Sequence, residues 1–296
     1  MAWLQLTLEL KQPNAEALEQ LLEDFGALSV TYSDAADEPL LEPKPGETPL
    51  WQSLSATALF AEDAPQESIL SALAEKFPAT ALSAVISPLE DREWLNEWKR
   101  DTSPRQYGER LWVYPWQPED NQPAGKIIVE LQPGLAFGTG EHPTTAMCLR
   151  WLDGHDLQNK SIIDYGCGSG LLAIAALKLG AACATCVDID DQAIAATLSN
   201  ASQNGVAAKL EAQNAGIKIE QSYAVVVANI LSGILIDLSS LLSELVEPSG
   251  SLILTGVLAE QATSVQQAYA NDFNLTVSDE QDGWVLLTGY KQTNND

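Results

Sequence analysis

The sequence predicts an α/β protein in which an open, mostly parallel β-sheet follows a small α+β domain. A glycine-rich turn at residues 164–170 joins a short apolar strand to a helix-forming segment, which is the opening unit of such a sheet. Apolar segments then alternate between strand and helix patterns as far as Tyr290, which predicts seven strands with an antiparallel last pair. Residues 1–90 show the order β-α-β-β-α-β, a ferredoxin-like arrangement.

Residues 1–90 form the first predicted domain. They hold 15 acidic and 3 basic residues and no glycine motif or catalytic cluster, so a binding or recognition module fits them best. Asn14 is a candidate cap for the first helix. The predicted strands are Trp3–Leu10, Ala27–Tyr32, Leu54–Phe60 and Ala81–Ile86, and the predicted helices are Ala15–Phe25 and Pro65–Phe77.

Residues 91–125 are predicted to connect this domain to a second one, residues 126–296. Trp94 and Trp98 are four residues apart, so they share one face of a helix and favour packing between elements. A short strand is predicted at Leu111–Tyr114, and another, Lys126–Leu131, opens the second domain.

The glycine turn carries the strongest chemical signal in the second domain. Its order is D-x-G-x-G-x-G, formed by Asp164, Gly166, Gly168 and Gly170. Glycines at alternate positions allow a sharp turn and a ligand lying against bare backbone. Leu171 stands where the dinucleotide fingerprint needs its third glycine, and no lysine follows Gly170 as a phosphate loop requires. The pattern resembles the first motif of Rossmann-like methyltransferases that use S-adenosylmethionine.

Polar residues follow two later strands of this domain. Asp188 ends the strand Cys183–Asp188, where open α/β folds bind a ribose diol, and Asp190 is a predicted helix cap. Asn229 lies near the end of the continuous apolar run Ala224–Leu231, which is typical of a central parallel strand. Because ligands of such sheets bind at the carboxyl edge, these side chains are candidate site residues.

The loop before the glycine turn is a second candidate binding segment. Gly138 and Gly140 make it able to approach a ligand closely. Thr144 and Thr145 precede the predicted helix Ala146–Leu152, where capping alone would explain them. His142 by itself indicates a loop hydrogen bond more than a catalytic base.

The composition excludes several other classes of function. A net charge of −26 argues against a bare nucleic-acid substrate and favours a basic partner, although adaptation to solvent explains it equally well. The N-terminus lacks a signal peptide and no apolar run is long enough to span a membrane, so we expect a cytoplasmic protein without a membrane partner. The cysteines at 148, 167, 183 and 186 are expected to be free thiols, and no metal site is predicted.

Four segments together resemble one family, the bacterial methyltransferases of large-subunit ribosomal protein eleven. They are residues 134–145, 164–170, 187–190 and 227–231, and the resemblance extends over nearly the whole chain. It implies a class I methyltransferase sheet and a recognition role for the front domain. It also implies a cytoplasmic enzyme that methylates α- and ε-amines of this basic protein, free before ribosome assembly. Cofactor contacts are implied for Thr145, Gly166, Asp188 and Asn229. We predict further cofactor contacts for the remaining motif residues, Asp164, Gly168 and Gly170 of the glycine turn and Phe137, Gly138, Thr139 and His142 of the preceding loop.

The residues around Asn229 suggest how such a reaction would proceed. An amine needs a free lone pair, and the Asn229 carbonyl could accept its remaining N–H bonds. No Asp, Glu, Lys or Cys ends this strand, so direct in-line displacement without a covalent intermediate is predicted. The alternatives are methylation of another protein or small molecule, a non-catalytic cofactor-binding module, and an NAD-dependent oxidoreductase, which Leu171 disfavours.

Overall fold

The computed structural model describes residues 3–36, 50–89, 104–115, 125–131 and 142–292. The chain divides into two compact units, Met1–Glu97 and Trp98–Asp296. The predicted connector helix at 91–101 lies outside the described residues. None of the helices in the described ranges is long and apolar enough to cross a membrane.

The front unit is the predicted ferredoxin-like domain. Its elements are β1 Trp3–Lys11, α1 Ala15–Asp24, β2 Ser29–Asp34, β3 Ser53–Ala61, α2 Gln66–Lys76, α3 Pro78–Ala81 and β4 Val85–Leu89. Its sheet has the order β2-β3-β1-β4, and every neighbouring pair is antiparallel. Leu4, Leu6 and Leu8 alternate along one face and are buried against helix residues Leu18 and Leu22.

Two local predictions for this unit are wrong. The strand predicted at Ala81–Ile86 begins only at Val85, because Pro78 at the first helical position starts the short helix α3. Asn14 occupies the N-cap position of α1, but its side chain makes no capping hydrogen bond.

The second unit contains a small sheet and a large one. The strands are β5 Arg105–Tyr107, β6 Leu111–Pro115, β7 Ile127–Leu131, β8 Ser161–Tyr165, β9 Cys183–Asp188, β10 Leu210–Asn214, β11 Tyr223–Asn229, β12 Val246–Leu258, β13 Thr276–Gln281 and β14 Trp284–Tyr290. The small sheet has three of these strands in the order β5-β6-β7, and the large one has the other seven. The helices are α4 Pro143–Gly154, α5 Leu171–Lys178, α6 Asp191–Gln203, α7 Ser232–Asp237, α8 Ser239–Leu245 and α9 Ala262–Ala268.

The large sheet has the order β10-β9-β8-β11-β12-β14-β13. The first five strands in this order, from β10 at the edge to β12, are parallel to one another. Strand β14 is antiparallel to both of its neighbours, β12 and β13. The antiparallel last pair is therefore confirmed, and the final strand lies inside the sheet, not at its edge. The turn predicted at residues 248–250 is an irregularity within β12, where Ser249 has a φ of 63°.

Helices cover both faces of this sheet, so alternate side chains of each strand enter different cores. Val225 and Val227 of β11 pack with α4, α5 and α6, whereas Val226 and Ala228 pack with α8 and α9. Asn229 continues the Val225–Val227 alternation, which places its side chain on the face covered by α4. The helix predicted at Leu235–Val246 is two helices, α7 and α8.

Candidate functional site

A cavity of about 480 Å³ opens at the carboxyl ends of β8, β9 and β11. From β8 the chain continues to β9 and β10 on one side of the sheet, and β11 and β12 lie on the other side. Ligands of open α/β sheets bind at such a switch point in the strand order. Its size lies within the range of small-molecule sites. The lining residues are Thr145, Asp164, Tyr165, Gly166, Cys167, Gly168, Ser169, Leu171, Leu172, Asp188, Ile189, Ala215, Asn229, Ile230, Ile234 and Leu238.

The glycine turn forms the floor of the cavity. Gly166 has a φ of 80°, and a Cβ there would collide with Ile230 Cγ2. The Gly166 N–H donates to the Val187 carbonyl at 2.7 Å, which ties the turn to the end of β9. Gly170 does not line the cavity; it starts α5 with a φ of 76° and packs against Thr197. Two of the predicted glycines therefore face the cavity, while the third serves the turn itself.

Asp188 closes this turn from the neighbouring strand. Its Oδ2 accepts the Gly168 N–H at 2.9 Å, and its Oδ1 accepts the Asp190 N–H at 3.0 Å. The carboxylate also lines the cavity, and its role in binding a ribose diol stays a prediction. Asp190 caps α6 by accepting the Gln192 N–H at 2.8 Å, which confirms its predicted structural role.

Asp164 is a buried carboxylate with one unused oxygen. The residue is 1% exposed, and its Oδ2 accepts the Ala173 N–H at 3.3 Å. Its Oδ1 has no hydrogen-bond partner within the described part of the chain. Burial raises the pKa of Asp164 to about 7, the Asp188 charge adds to this shift, and the Ala173 N–H opposes it. A cationic or N–H donor in the cavity would satisfy this oxygen.

Asn229 and Thr145 also line the cavity. The Asn229 amide donates from Nδ2 to Thr145 Oγ1 at 3.2 Å, and Thr145 is 2% exposed. This bond holds the side chain that ends β11 against the first turn of α4. The amide carbonyl of Asn229 is at the other end of the same group and is available as an acceptor.

His142, and not a threonine, is the cap of α4. Its Nδ1 accepts the Thr144 N–H at 3.4 Å and lies 2.7 Å from Thr144 Oγ1. The ring packs edge-on against Trp284 with 5.1 Å between centroids, and burial lowers the pKa of His142. His142 does not line the cavity, whereas Thr145 does. The predicted contacts of Phe137, Gly138 and Thr139 lie outside the described residues.

Sequence reasoning missed the apolar wall of the cavity. Ile189 is 84% exposed although it directly follows Asp188, and Ile234 is 46% exposed. Ile230, Leu238 and Ala215 complete this wall. A large apolar residue directly after a polar residue at the end of a strand, such as Ile189 after Asp188, could have indicated a ligand-binding wall. The fold alone does not require such a residue to face solvent.

A family model described as ribosomal protein L11 methyltransferase matches residues 2–292 of the chain. The chain belongs to this family. The ribosomal protein L11 methyltransferase of Shewanella amazonensis is 46% identical over 302 residues, covering 99% of this chain and 100% of that protein. That of Haemophilus ducreyi is 47% identical over 295 residues, with the same coverage of both chains. The predicted family resemblance is therefore confirmed.

A solved member of the family has the same fold. The crystal structure of the ribosomal protein L11 methylase from Lactobacillus delbrueckii subsp. bulgaricus matches with a TM-score of 0.59 and 32% identity. The match covers 64% of this chain and 99% of that one. The chain is accordingly a class I methyltransferase that uses S-adenosylmethionine.

The cavity suits the cofactor of this family. S-adenosylmethionine carries an ammonium group, a ribose and an adenine but no phosphate. The unused Asp164 oxygen suits a cation, Asp188 suits a diol, and the wall containing Ile189 and Ile234 suits a planar apolar ring. Gly166 leaves the space that a side chain would take.

The cysteines give no sign of a metal centre. All four are free, and Cys183 is exposed while Cys186 is buried, so the C-x-x-C pair does not converge on one face of β9. Among the described residues, no group of three or more His, Cys, Asp or Glu side chains is placed to hold a metal ion.

Asp188→Ala is expected to weaken binding of S-adenosylmethionine by about 1–3 kcal/mol, because a partly buried hydrogen bond to the ribose would be lost. Isothermal titration of the purified variant measures this directly. The matched control is Asp190→Ala, which removes the cap of α6 at a cost of about 1 kcal/mol in stability but leaves the cavity lining intact. Equal affinities for wild type and Asp188→Ala would exclude the ribose role.

Proposed function

We propose that this chain transfers methyl groups from S-adenosylmethionine to α- and ε-amino groups of ribosomal protein L11. The observation that carries the proposal is the Asn229–Thr145 pair at the edge of the cavity, in a chain that matches the family over residues 2–292. The relatives are named for this substrate. In this proposal the cofactor is held by the cavity residues Thr145, Asp164, Gly166, Gly168, Asp188 and Asn229.

The chemistry follows from what these side chains can do. When bound, S-adenosylmethionine supplies an electrophilic methyl group on a sulfonium and a neutral thioether leaving group. The Asn229 carbonyl accepts an N–H of the acceptor amine and aims its lone pair at the cavity. The residues at and directly after the end of β11, Asn229, Ile230 and Leu231, include no Asp, Glu, Lys or Cys that could take the methyl group covalently. Transfer is therefore direct, without a covalent enzyme intermediate.

The front domain, residues 1–90, recognises the basic substrate in this proposal, and residues 91–125 connect it to the methyltransferase domain, residues 126–296. Its helices carry acids on their solvent side, including Glu16, Glu23 and Asp24 of α1 and Glu67 and Glu75 of α2. Such a surface attracts a cationic protein over long range and repels nucleic acid. The substrate is met free in the cytoplasm before ribosome assembly, with no direct nucleic-acid or membrane contact.

A transfer assay with methyl-labelled cofactor tests this function. The acceptors are unmethylated ribosomal protein L11, a mixed ribosomal protein fraction and a buffer blank, and mass spectrometry locates the label. We expect label on the α-amine and on lysine ε-amines of L11. Cofactor binding without label on L11 would contradict the substrate, and label on another protein in the mixed fraction would identify the alternative.

A further inference from the structure

Strand β12 bulges beside the end of β11. The register between β12 and β14 shifts between Leu254 and Val257, so two residues of β12, Thr255 and Gly256, stand opposite one residue of β14. The Thr255 hydroxyl donates to the Val285 carbonyl at 2.9 Å and ties the bulge to β14. Bulges of this kind redirect a strand locally and are common next to active sites.

Gly256, the second residue of the bulge, lies against the backbone of Ile230. Its φ is 83°, in the left-handed region. A Cβ at this position would collide with the Ile230 carbonyl oxygen, and it would lie 2.7 Å from the carbonyl carbon and 3.1 Å from the nitrogen. Backbone atoms do not rotate away as the end of a flexible side chain does, so only glycine allows this approach.

A second glycine contacts Ile230 from another strand. The Ile230 Cγ2 atom occupies the space that a Cβ of Gly166 would need, and Gly166 also has a positive φ, 80°. Gly166 follows β8 and Gly256 belongs to β12, and these are the two strands that flank β11. The residue directly after Asn229 is therefore held between them, its side chain by Gly166 and its backbone by Gly256.

The position of Ile230 determines that of Asn229, because the two residues share a peptide bond. Asn229 pairs with Thr255, the first residue of the bulge. Its side-chain amide donates to Thr145 Oγ1 at 3.2 Å, a hydrogen bond that any displacement of this peptide would lengthen or bend. A group that aims an amine at a methyl carbon tolerates little misplacement, since the reacting atoms must lie in line.

We propose that Gly256 is a positioning residue for methyl transfer: by leaving room for Ile230, the bulge in β12 places the Asn229 amide where it orients the acceptor amine. This inference rests on the role of Asn229 in the proposed function. Gly256 does not line the cavity, so it acts through Asn229 and not by direct contact with a ligand.

Single-turnover transfer to L11 by the full-length protein, at saturating cofactor, tests this role. Gly256→Ala is expected to lower the rate by about 10–100-fold, with a smaller fall in cofactor affinity. The matched control is Gly283→Ala, because Gly283 has nearly the same φ, 79°, but nothing lies within 4 Å of a Cβ there. Backbone strain should lower the melting temperature of both variants, and Gly283→Ala should keep the wild-type rate.

Equal rates for the two alanine variants would overturn the assignment, as would equal losses of rate and cofactor affinity in Gly256→Ala. A double variant tests whether Gly256 acts through Asn229. In the Asn229→Ala background, Gly256→Ala should add little further loss of rate, whereas full additivity contradicts the proposal.

Variants of Ile230 test the same contact without adding backbone strain, should Gly256→Ala fail to fold. Ile230→Ala removes the Cγ2 atom that contacts Gly166, whereas Ile230→Val keeps it. The transfer rate should therefore fall further in Ile230→Ala than in Ile230→Val. Equal rates in these two variants contradict the positioning role.

A spectroscopic measurement separates failure of this inference from failure of the proposed function. The side-chain amide resonances of Asn229, assigned by their loss in Asn229→Ala, report its hydrogen bond to Thr145 in the cofactor-free protein. They should shift in Gly256→Ala and keep their wild-type positions in Gly283→Ala. Such a shift supports the placement of Asn229 by Gly256 even if L11 is not methylated. Resonances of Gly256→Ala that match the wild type overturn the inference, whatever the transfer assay shows.

Discussion

Asn229→Ala is expected to lower kcat for methyl transfer by about 10²–10³-fold, the loss typical of removing one preorganised polar group from a reacting centre. Cofactor affinity should fall by a smaller factor than kcat, because the cavity keeps the glycine turn, Asp164 and Asp188. Single-turnover rates with saturating cofactor and L11 measure the chemical step without product release.

Two further variants make this result specific. Thr145→Val removes the hydroxyl that holds Asn229 while keeping its volume, so an intermediate loss of kcat is expected. Asn274→Ala changes an exposed asparagine away from the cavity and should leave kcat at the wild-type value. Normal turnover in Asn229→Ala would remove this residue from the mechanism.

Asp164→Asn is expected to have opposite effects on stability and on cofactor binding. Burial raises the pKa of Asp164 to about 7 in the folded protein, well above the usual value for aspartate. Between about pH 4 and pH 7 the folded state therefore binds more protons than the unfolded state, and stability falls as pH rises through this interval. The asparagine variant should be more stable than wild type by roughly 2–4 kcal/mol at pH 8 and should lack this slope.

Cofactor affinity supplies the second half of this prediction. Only the ionised carboxylate pairs with the ammonium group, so wild-type affinity should rise as pH increases towards about 7, by at most tenfold per pH unit. Asp164→Asn should bind about 10–100-fold more weakly at pH 7 and show a flat profile below it.

Asp153 offers the matched control for Asp164. It is also buried, but its carboxylate pairs with Arg110 and accepts the backbone N–H groups of Glu109 and Arg110. Asp153→Asn should therefore destabilise the protein and leave the pH profile of cofactor binding unchanged. If Asp164→Asn is no more stable than wild type at pH 8, the buried, ionised carboxylate of Asp164 does not destabilise the cofactor-free protein, and the prediction is wrong.

The sequence predicted the two site residues that stand at the carboxyl ends of parallel strands. Asp188 and Asn229 stand at the ends of parallel strands, and parallel strands end at one edge of a sheet. Strand order is therefore enough to predict that these two side chains meet at one cavity. The hydrogen bond from Gly168 to Asp188 could not be predicted in this way, because it depends on the path of the turn between them.

Local capping was predicted less well, and for an identifiable reason. Thr144 and Thr145 are good capping residues by type, yet Pro143 occupies the first helical position and makes His142 the cap. Pro78 likewise starts α3, whose last residue, Ala81, was predicted to begin a strand. In both places the proline was the better indicator of where a helix begins.

Trp284 shows what sequence patterns leave out. In the strand pattern it is one apolar residue among several on β14. Its contact with His142 joins residues far apart in the chain, and only the folded sheet brings them together. The same holds for the apolar wall, since the exposure of Ile189 is a property of the edge on which it lies.

The interior position of β14 also sets the order in which the enzyme is completed as it is synthesised. Strand β12 must wait for Trp284–Tyr290 before it gains its second neighbour, and β13 has no other partner in the large sheet. A nascent or truncated chain that stops before Trp284 would leave both strands with open edges. The ribosome therefore finishes nearly all of this chain before the large sheet can close around β14.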